Sequence, residues 1–373
     1  MYFVRVALYV LCAAAGAYQA IALVAVVRQL LRPKRRLAPG ALPVSILKPV
    51  RGVDEGFREA VASHAAQEYA PGFEILLGVG EDDPEAAEEI GRLAAEFPSV
   101  PIRGVVCHEK TPNAKVGRLM GLAREARHPW IVVNDSDIHV PPGYLADVTA
   151  PLTEPRTGVV TCLYRATGST RAARFEALGI VIDFAPSTLV APMFGVSEFG
   201  LGSTLAFRRE DLEAIGGFGA VADYLADDYQ VGARIHRLGR VNLIARTVVE
   251  TGLGAAAWTG VWRHQVRWAR TIRVSNGIGF SGLPITCATL WAILALAVGM
   301  WPVAAGLVIL RLIVALVCGV GLLGSGDVAR LIWLVPVRDL FGLAVWAAGM
   351  VGDTVEWRGR RLRLTRDGRI TPA

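Results

Sequence analysis

The most informative segment of this chain is PWIVVNDSDIHV, residues 129–140. Its apolar run is typical of a strand buried on both faces, and it leads directly into Asp135, Ser136 and Asp137. In parallel sheets, ligand-binding groups collect beyond the carboxyl ends of the strands. Because alternate residues of an extended chain share a face, Asp135 and Asp137 can converge on one cation. The segment therefore predicts a core strand with a candidate metal site at its end.

Short β-branched runs alternate with stretches rich in Ala, Glu and Arg between about residues 43 and 273, which is typical of an α/β domain. The predicted strands are VSILKP, FEILLGV, IRGVVC, PWIVVND and GVVTCLY. Helices are predicted between the first of these strands, near residues 55–67, 84–97 and 115–127. This βαβαβ order predicts a mostly parallel central sheet.

The Asp135 and Asp137 pair has two interpretations. Two carboxylates that leave positions open for phosphate oxygens suit Mg²⁺ or Mn²⁺, because these hard cations prefer oxygen ligands. The alternative is an Asx-type turn that caps the strand, a role that short Asp-x-Asp strings often fill. The pair by itself leaves both interpretations open.

Two further acidic clusters occur in the chain. Glu81, Asp82 and Asp83 follow the predicted strand FEILLGV, but Asp-Asp-Pro-Glu also opens a helix well, with an acidic N-cap and a proline in the first turn. Asp227 and Asp228 lie in the apolar and aromatic segment YLADDYQVG. Crowding or burial of these two carboxylates can raise one pKa towards that of a useful general base.

The segment WTGVWRHQVRWARTIR, residues 258–273, is both basic and aromatic. On a helix, His264 and Arg267 share a face, while Trp262 can meet lipid headgroups. The alternative is a basic interfacial helix beside a membrane segment, without a catalytic role. Lys115 begins another predicted helix, where it can meet a phosphate or can be an ordinary solvated lysine.

The composition indicates that part of the chain lies in lipid. Hydrophobic residues make up 53% of the 373 positions and charged residues only 19%, and the mean hydropathy of +0.41 is high for a soluble globular protein. Residues 6–27 carry no charge and are long enough to span a bilayer, and longer than the apolar part of a cleaved signal. The basic residues between Arg28 and Arg36 place the chain that follows in the cytoplasm.

A second apolar region begins at residue 274 and continues to about residue 323, interrupted only by Arg311, and a further apolar segment spans residues 331–352. Arg338 and Asp339 lie inside that last segment, where ionisable groups need partners or a cavity, so a re-entrant or interfacial segment is one interpretation. Six arginines lie between residues 358 and 369. A tail of this kind should stay cytoplasmic, which requires an even number of crossings after the α/β domain.

These patterns divide the chain into four predicted parts: an N-terminal transmembrane anchor with a basic flank (1–36), a cytoplasmic domain that ends in an interfacial helix (37–273), C-terminal membrane helices (274–352) and a basic cytoplasmic tail (353–373). The same composition argues against a disordered chain or a nucleic-acid-binding tail. The five cysteines are scattered and predict neither a disulfide framework nor a zinc site. The string GVGEDD lacks the third glycine of a dinucleotide-binding loop.

Taken together, these segments resemble the ceramide glucosyltransferase family, which is glycosyltransferase family 21 among the family 2-like inverting transferases. The matching segments follow the family's order over most of residues 43–366: VSILKPVRGVDEGF, FEILLGVGEDDPEA, PNAKVGRLM, VVNDSDIHV, GSTLAFRRE with GGF, YLADDYQVG, HQVRW and VEWRGRRLRL. The family's signature is three aspartate positions and then a pentapeptide of Gln or Arg, two variable residues, Arg and Trp. It corresponds here to Asp83, Asp135 with Asp137, Asp228, and Arg267 with Trp268.

The chain departs from this signature at two places. The pentapeptide begins with His264 instead of Gln or Arg. The first acidic cluster is one residue shorter than the family's usual spacing, so Glu81 or Asp82 can take the place of Asp83.

The resemblance implies an α/β GT-A domain, the fold of nucleotide-diphospho-sugar transferases, with a mostly parallel sheet and with transmembrane or interfacial helices at both ends. It implies an inverting hexosyltransferase that moves glucose or N-acetylglucosamine from a UDP-sugar to the hydroxyl of a lipid. The acceptor is a ceramide or, as in a bacterial hopanoid branch of the family, a hopanoid polyol. The expected location is a membrane, in bacteria the inner membrane, with the catalytic domain in the cytoplasm and no nucleic-acid partner.

The resemblance also implies roles for the candidate residues. The first acidic cluster would contact uracil and ribose, and Lys115 a phosphate. Asp135 and Asp137 would hold Mn²⁺ or Mg²⁺ at the diphosphate, with Asp137 as the more direct ligand. Asp228, beside Asp227, would be the general base. Arg267, with Trp268 beside it and His264 on the same helix, would close over the diphosphate.

Two rival functions stay open at this stage. A membrane-anchored scaffold would use the acidic strings only as turns and caps. A membrane polysaccharide synthase of the same fold would extrude a polymer through its own helices, and the small number of apolar segments argues against it.

Overall fold

The computed structural model describes residues 2–53, 55–357 and 359–373. Asp54, in the segment VSILKPVRGVDEGF, and Arg358, one of the six tail arginines, lie outside the described residues.

A central sheet organises the middle of the chain. Within the described residues it contains seven strands: β1 (Val44–Pro49), β2 (Phe73–Val79), β3 (Ile102–Val106), β4 (Trp130–Val133), β5 (Thr157–Thr167), β6 (Leu205–Arg208) and β7 (Val241–Gly252). Their order is β3-β2-β1-β4-β6-β5-β7. Parallel pairing joins β3, β2, β1 and β4, and also β5 and β7, whereas β6 runs antiparallel to both of its neighbours. The prediction of a mostly parallel sheet is therefore confirmed.

Helices cover both faces of the sheet and connect its first strands. After the N-terminal helix α1 (Tyr2–Leu31), these connections are α2 (Phe57–Ala65), α3 (Pro84–Glu96) and α4 (Ala114–Glu125). All side chains of β1 and β4 are buried. Ile46 and Val132 enter one hydrophobic core, and the adjacent Leu47 and Val133 enter a second core on the opposite face. This two-sided burial explains why the strands are continuous apolar runs without polar alternation.

Between β4 and β7 the chain adds shorter elements: α5 (Tyr144–Thr149), α6 (Arg171–Gly179), α7 (Ala185–Val190), α8 (Arg209–Ala214) and α9 (Asp227–Arg237). Helix α6 continues through α7 as one apolar helical segment, Arg171–Phe194, here called the α6–α7 helix. It is long and apolar enough to cross a membrane, and the sequence pattern had not indicated it. Because β5 before it and β6 after it belong to the same sheet, its two ends lie on one side and it does not cross.

The C-terminal part is helical: α10 (Trp258–Ser275), α11 (Gly277–Thr286), α12 (Ala288–Ala297), α13 (Trp301–Leu316), α14 (Gly326–Leu331) and α15 (Val335–Met350). Among the described residues, four helical segments are long and apolar enough to cross a membrane: Phe3–Leu31, the α6–α7 helix, Trp301–Leu322 and Gly326–Met350. Helices α11 and α12 pass the same test only as a pair, bent by 42°.

Three ionisable residues inside the last apolar helices, Arg311, Arg338 and Asp339, are buried, and each has a charged or polar partner. Arg311 on α13 contacts Asp339 on α15 at 2.6 Å and also pairs with Asp183 of the α6–α7 helix. Arg338 donates to the side chain of Gln265 on α10 at 2.9 Å. These partners satisfy the expectation that charges inside an apolar segment are compensated, and α15 itself is a continuous helix.

The basic tail folds as a small antiparallel sheet of β8 (Thr354–Trp357), β9 (Arg360–Leu364) and β10 (Ile370–Pro372). The backbone N–H of Ile370 donates to the carbonyl of Asp223, and Leu362 and Leu364 share a small core with Leu225. Because Leu225 comes just before α9, the tail lies on the same side of any bilayer as the start of that helix.

Candidate active site

The end of β4 is fixed by a buried amide. Asn134 is fully buried, and its side chain donates to the hydroxyl of Tyr144 at 2.9 Å and to the carbonyl of Ser203 at 2.7 Å. The imidazole Nε2 of His64 lies 3.2 Å from its Oδ1. This network holds the chain immediately before Asp135 and joins β4 to the loop that precedes β6.

Lys115 contacts one carboxylate from each of two acidic clusters, Asp135 with Asp137 and Asp227 with Asp228. Its Nζ lies 2.8 Å from Oδ1 of Asp135 and 3.4 Å from Oδ2 of Asp227. Asn113 places this lysine in the first turn of α4, because its side chain accepts the N–H groups of Lys115 and Val116 as the helix N-cap. Burial lowers the pKa of Lys115, but Asp135, Asp227 and Asp228 outweigh it and raise that pKa. The lysine is therefore a buried cation between carboxylates, and the solvated alternative is excluded.

Asp228 lies at the first turn of α9 with both of its oxygens engaged. Oδ2 accepts the backbone N–H of Gly202 at 2.8 Å, and Oδ1 accepts that of Tyr229 at 2.8 Å. Burial and then the neighbouring Asp227 raise its pKa to about 6. A carboxylate in this environment is suited to accept a proton near neutral pH.

Asp137 faces the same region from the turn after β4. The hydroxyl of Thr251 on β7 donates to its Oδ2. Burial and then the nearby charge of Asp135 raise the pKa of Asp137. Two carboxylates that repel each other in a partly buried position fit a divalent cation, which would remove that repulsion. No group of three or more His, Cys, Asp or Glu side chains suited to a metal occurs in the described residues.

A second lysine, Lys48, binds the backbone of the turn that carries Asp135 and Asp137. Lys48 is fully buried in β1, and its Nζ donates to the backbone carbonyls of Asp135 at 3.0 Å and Ile138 at 3.4 Å. Burial lowers its pKa to about 7, although Asp137 and Asp135 act in the opposite direction. The candidate residues chosen from the sequence did not include Lys48, although a lysine inside the apolar run VSILKP is the signal that could have found it.

The first acidic cluster lies at the start of α3. Asp83 caps that helix, accepting the N–H of Ala86 at 3.3 Å, and also accepts the N–H of Gly52 at 2.6 Å. Glu81 pairs with His108 at 2.6 Å, and Asp82 is exposed. The capping role of Asp83 is therefore real, and within the described residues Asp83 and Glu81 bond to α3, Gly52 and His108 and not to Lys115.

Helix α10 carries the remaining candidates. The Nδ1 atom of His264 lies 2.5 Å from Oε1 of Glu176 in α6, and its ring meets that of Trp268 edge-on at 4.6 Å. Glu176 is buried and also accepts from the side chain of Gln265 at 2.9 Å. Arg267 lies on the same helix and is partly buried. Glu176 had not been predicted, although a glutamate in the apolar string RFEALG is a detectable signal.

Aromatic rings connect α10 to the acidic residues. The ring of Trp268 lies 5.9 Å from that of Phe184, which lies 5.4 Å from that of Tyr164 on β5. Burial raises the pKa of Tyr164, and the nearby charges of Asp228, Asp135, Glu176 and Asp137 raise it further. Tyr164 therefore lies within electrostatic range of the acidic cluster and of Glu176.

Known proteins share this fold and parts of this sequence. The structure of a mannosyltransferase from Pyrobaculum calidifontis, in complex with GDP-Man and Mn²⁺, superposes with a TM-score of 0.54 at 19% identity, covering 91% of this chain and 99% of that one. It shows that the central domain has the GT-A fold that was predicted. Ceramide glucosyltransferases 1 and 3 of Caenorhabditis elegans are 28% and 25% identical over 50% and 54% of this chain.

Those matches span 40% and 44% of the length of the two nematode proteins, less than half of each. The family model described as Glycosyl transferase family 21 matches residues 7–370, almost the whole chain. The resemblance noted from the motifs is thereby confirmed, and the chain belongs to glycosyl transferase family 21.

Proposed function

We propose that this protein transfers a sugar from a UDP-sugar to the hydroxyl of a membrane lipid, with inversion at the sugar's C1. The observation that carries the proposal is the meeting of Asp135, Asp227 and Asp228 around the buried Lys115, at the carboxyl ends of parallel strands. A scaffold that used these residues only as turns and caps would have no need to gather three carboxylates around one buried lysine, since a buried charge is costly unless it is paired. The family membership of the chain supports the same activity.

The first choice of substrates is UDP-glucose and a ceramide. The relatives named as ceramide glucosyltransferases favour this pair. UDP-N-acetylglucosamine with a hopanoid polyol is the second pair, from the bacterial branch that the motifs resemble. A processive polysaccharide synthase is disfavoured, because the α6–α7 helix does not cross a membrane and few crossing helices are left to form a channel.

A divalent cation, Mn²⁺ or Mg²⁺, would be held by Asp137 and Asp135. When bound, it would neutralise charge on the diphosphate of the donor. Lys115, which contacts Asp135, holds that carboxylate in place. Thr251 orients Asp137 through its hydroxyl. Uracil and ribose are assigned to the surface around Asp82 and Asp83.

Asp228 carries the proton transfer. Its carboxylate takes the proton from the acceptor hydroxyl as that oxygen forms a bond to C1 of the sugar. The bond between C1 and the UDP oxygen breaks on the opposite face, and its electron pair leaves with UDP. Attack from the face opposite the leaving group inverts C1, so an α-linked donor gives a β-linked glycolipid. Asp227, paired with Lys115, keeps a second negative charge next to Asp228 and helps to raise its pKa.

Arg267, with Trp268 beside it, is assigned to the diphosphate. A guanidinium can make two parallel hydrogen bonds to phosphate oxygens, which the single ammonium of lysine cannot reproduce. We expect Arg267→Lys to lose most of the transfer activity, about 10²-fold in kcat/KM, with the thermal unfolding temperature unchanged. The exposed Arg263 on the same helix provides the matched control, since Arg263→Lys should keep normal kinetics. Equal rates for both variants would contradict the assigned role.

Gly202 offers a second test of the cleft. A Cβ at this position would lie 3.2 Å from Oδ2 of Asp228, 3.4 Å from Oδ2 of Asp135 and 3.4 Å from Nζ of Lys115. We expect Gly202→Ala to lower kcat about tenfold, because small displacements of catalytic groups are costly in rate while the fold tolerates them. Gly91→Ala is the control, since a Cβ there meets nothing within 4 Å. Unchanged kcat in Gly202→Ala would show that this space is not used.

Contacts at the two ends of the C-terminal apolar helices support an even number of membrane crossings. Helix α10 precedes the apolar helices and the tail sheet follows them, and Arg263 of α10 contacts Glu356 of β8 at 3.2 Å. Because both lie on one side, the chain between them crosses an even number of times. We assign the two crossings to Trp301–Leu322 and Gly326–Met350, and the bent pair α11–α12 to a re-entrant segment. The basic residues after α1 favour the cytoplasmic face, in bacteria that of the inner membrane.

The decisive experiment is an assay of the purified protein in detergent or nanodiscs. Each of UDP-glucose and UDP-N-acetylglucosamine is combined with Mn²⁺ or Mg²⁺ and with a ceramide or a hopanoid polyol. Release of UDP and the mass of the lipid product are measured. One productive pair, with a β linkage by NMR, is the expected result, and the absence of product with every pair would favour the scaffold alternative.

A further inference from the structure

A cavity of about 300 Å³ lies among the apolar helices, apart from the acidic cluster. Its walls come from α1, the α6–α7 helix, α10, α11, α13 and α15, including Tyr18, Phe184, Trp268, Phe280 and Leu283. Two of its lining residues, Ile272 and Leu283, are 43% and 38% exposed. The cavity therefore reaches the outer surface of the helices, where a bilayer would lie.

One part of the cavity wall is charged. Asp183, Arg311, Arg338 and Asp339 all line it. Most of their polar atoms are engaged with one another or with Gln265, as described above, but Nε of Arg338 is buried without a hydrogen-bond partner, and the residue is only 4% exposed. A buried donor without a partner is costly. A ligand with a hydrogen-bond-accepting oxygen would bring a polar group to this part of the wall.

The same cavity borders the catalytic region. Trp268 and Phe184 line it, and the Phe184 ring also packs against Tyr164 at 5.4 Å. Tyr164 lies within electrostatic range of Asp228 and Asp135. Trp268, Phe184 and Tyr164 therefore form a row of aromatic side chains that leads from the cavity towards the acidic residues.

We propose that this cavity binds the acceptor lipid, an inference that rests on the proposed function and locates the acceptor. The apolar walls take the hydrocarbon chain of the lipid, and the charged wall takes a polar group of its backbone, an amide or a hydroxyl that does not react. The end of the lipid that carries the reacting hydroxyl extends from the cavity past Trp268 and Phe184 towards Asp228. The chain leaves between α10 and α11, past Ile272 and Leu283. A water-soluble acceptor would not match walls that are mainly apolar and that face lipid.

The test uses two substitutions in α11. Leu283→Trp fills the cavity mouth, whereas Ile278→Trp is the matched control, because Ile278 is 92% exposed and is not among the lining residues. We expect Leu283→Trp to raise the KM for the lipid acceptor about tenfold and to leave the KM for the UDP-sugar unchanged. Ile278→Trp should match the wild type in both constants.

A second readout does not depend on transfer. A ceramide that carries a diazirine in its acyl chain is photolysed with the full-length protein in nanodiscs, and labelled peptides are mapped by mass spectrometry. Labelling concentrated on the peptides of α1, α10 and α11 that line the cavity, reduced by Leu283→Trp and not by Ile278→Trp, would support the inference. Labelling spread evenly over the exposed helix surfaces, and equal in both variants, would overturn it. If the wild type is labelled in the cavity and makes no glycolipid, the cavity holds lipid and the proposed reaction is wrong.

Discussion

Replacing Asp228 by asparagine is expected to lower kcat for sugar transfer by about 10²–10⁴-fold, the range that a general base contributes. The amide has nearly the same shape, and its single oxygen can still accept one of the N–H groups of Gly202 and Tyr229, so the fold should survive the loss of one hydrogen bond. It cannot take the proton of the acceptor hydroxyl. Product formation measured by mass spectrometry, with UDP-sugar affinity measured by calorimetry, separates this loss from a loss of binding.

Asp223→Asn provides the control for that experiment. Asp223 is exposed and lies five residues before Asp228; its backbone carbonyl accepts the N–H of Ile370, and its side chain lies near Arg369 of the tail. Its rate should equal that of the wild type. If Asp228→Asn kept wild-type kcat, the base would have to be sought elsewhere and the scaffold alternative would gain support.

The pH dependence of the rate gives an independent check on the same group. Burial and Asp227 raise the pKa of Asp228 to about 6. A general base acts in its ionised form, so kcat should be maximal above this value and should fall as the pH drops through it, approaching a tenfold loss per pH unit below. Asp223→Asn should keep this acidic limb. A rate independent of pH between 5 and 8 would argue against proton transfer to this carboxylate.

The second large effect is expected at Asp137. Asp137→Asn removes one of the two carboxylates assigned to the cation, and we expect a loss of about 10³-fold or more, since metal neutralisation of a leaving diphosphate is worth several kcal/mol. Thr251→Val removes only the hydroxyl that orients Asp137 and should cost about 10–100-fold. Binding of Mn²⁺ in the presence of UDP, followed by electron paramagnetic resonance, should weaken in the same order. Full Mn²⁺ binding by Asp137→Asn would place the metal, or the need for one, elsewhere.

The first part of the sheet could be predicted closely from the sequence. The predicted strands VSILKP and FEILLGV match β1 and β2 in full, and the three predicted helices agree with α2, α3 and α4 to within a few residues. Burial on both faces leaves a continuous apolar run, and caps such as Asp83 and Asn113 mark helix starts by local hydrogen bonds. Both signals are local, so one sequence is enough to find them.

The membrane segments were predicted less completely. The anchor in α1 and the apolar helices after residue 274 follow from runs without charge. The α6–α7 helix was missed because its first turns, RAARFEALG, contain three charged residues, and its apolar character begins only after them. The position of the α6–α7 helix depends on its packing with α1 and α13, where Ala22, Val181 and Val314 share one hydrophobic core. Such contacts leave no pattern in the local sequence.

The sequence by itself determined which chemical groups are present: three acidic clusters, the Arg267 and Trp268 pair, and a lysine at the start of a helix. Only the tertiary structure decided that Lys115 joins Asp135 to Asp227 and that Glu176 reaches His264. The physical reason is the separation along the chain of the residues that interact. Strands and caps arise from interactions between near neighbours in the chain, whereas the charge that each carboxylate meets depends on the order of strands in the sheet and on the packing of helices far apart in sequence.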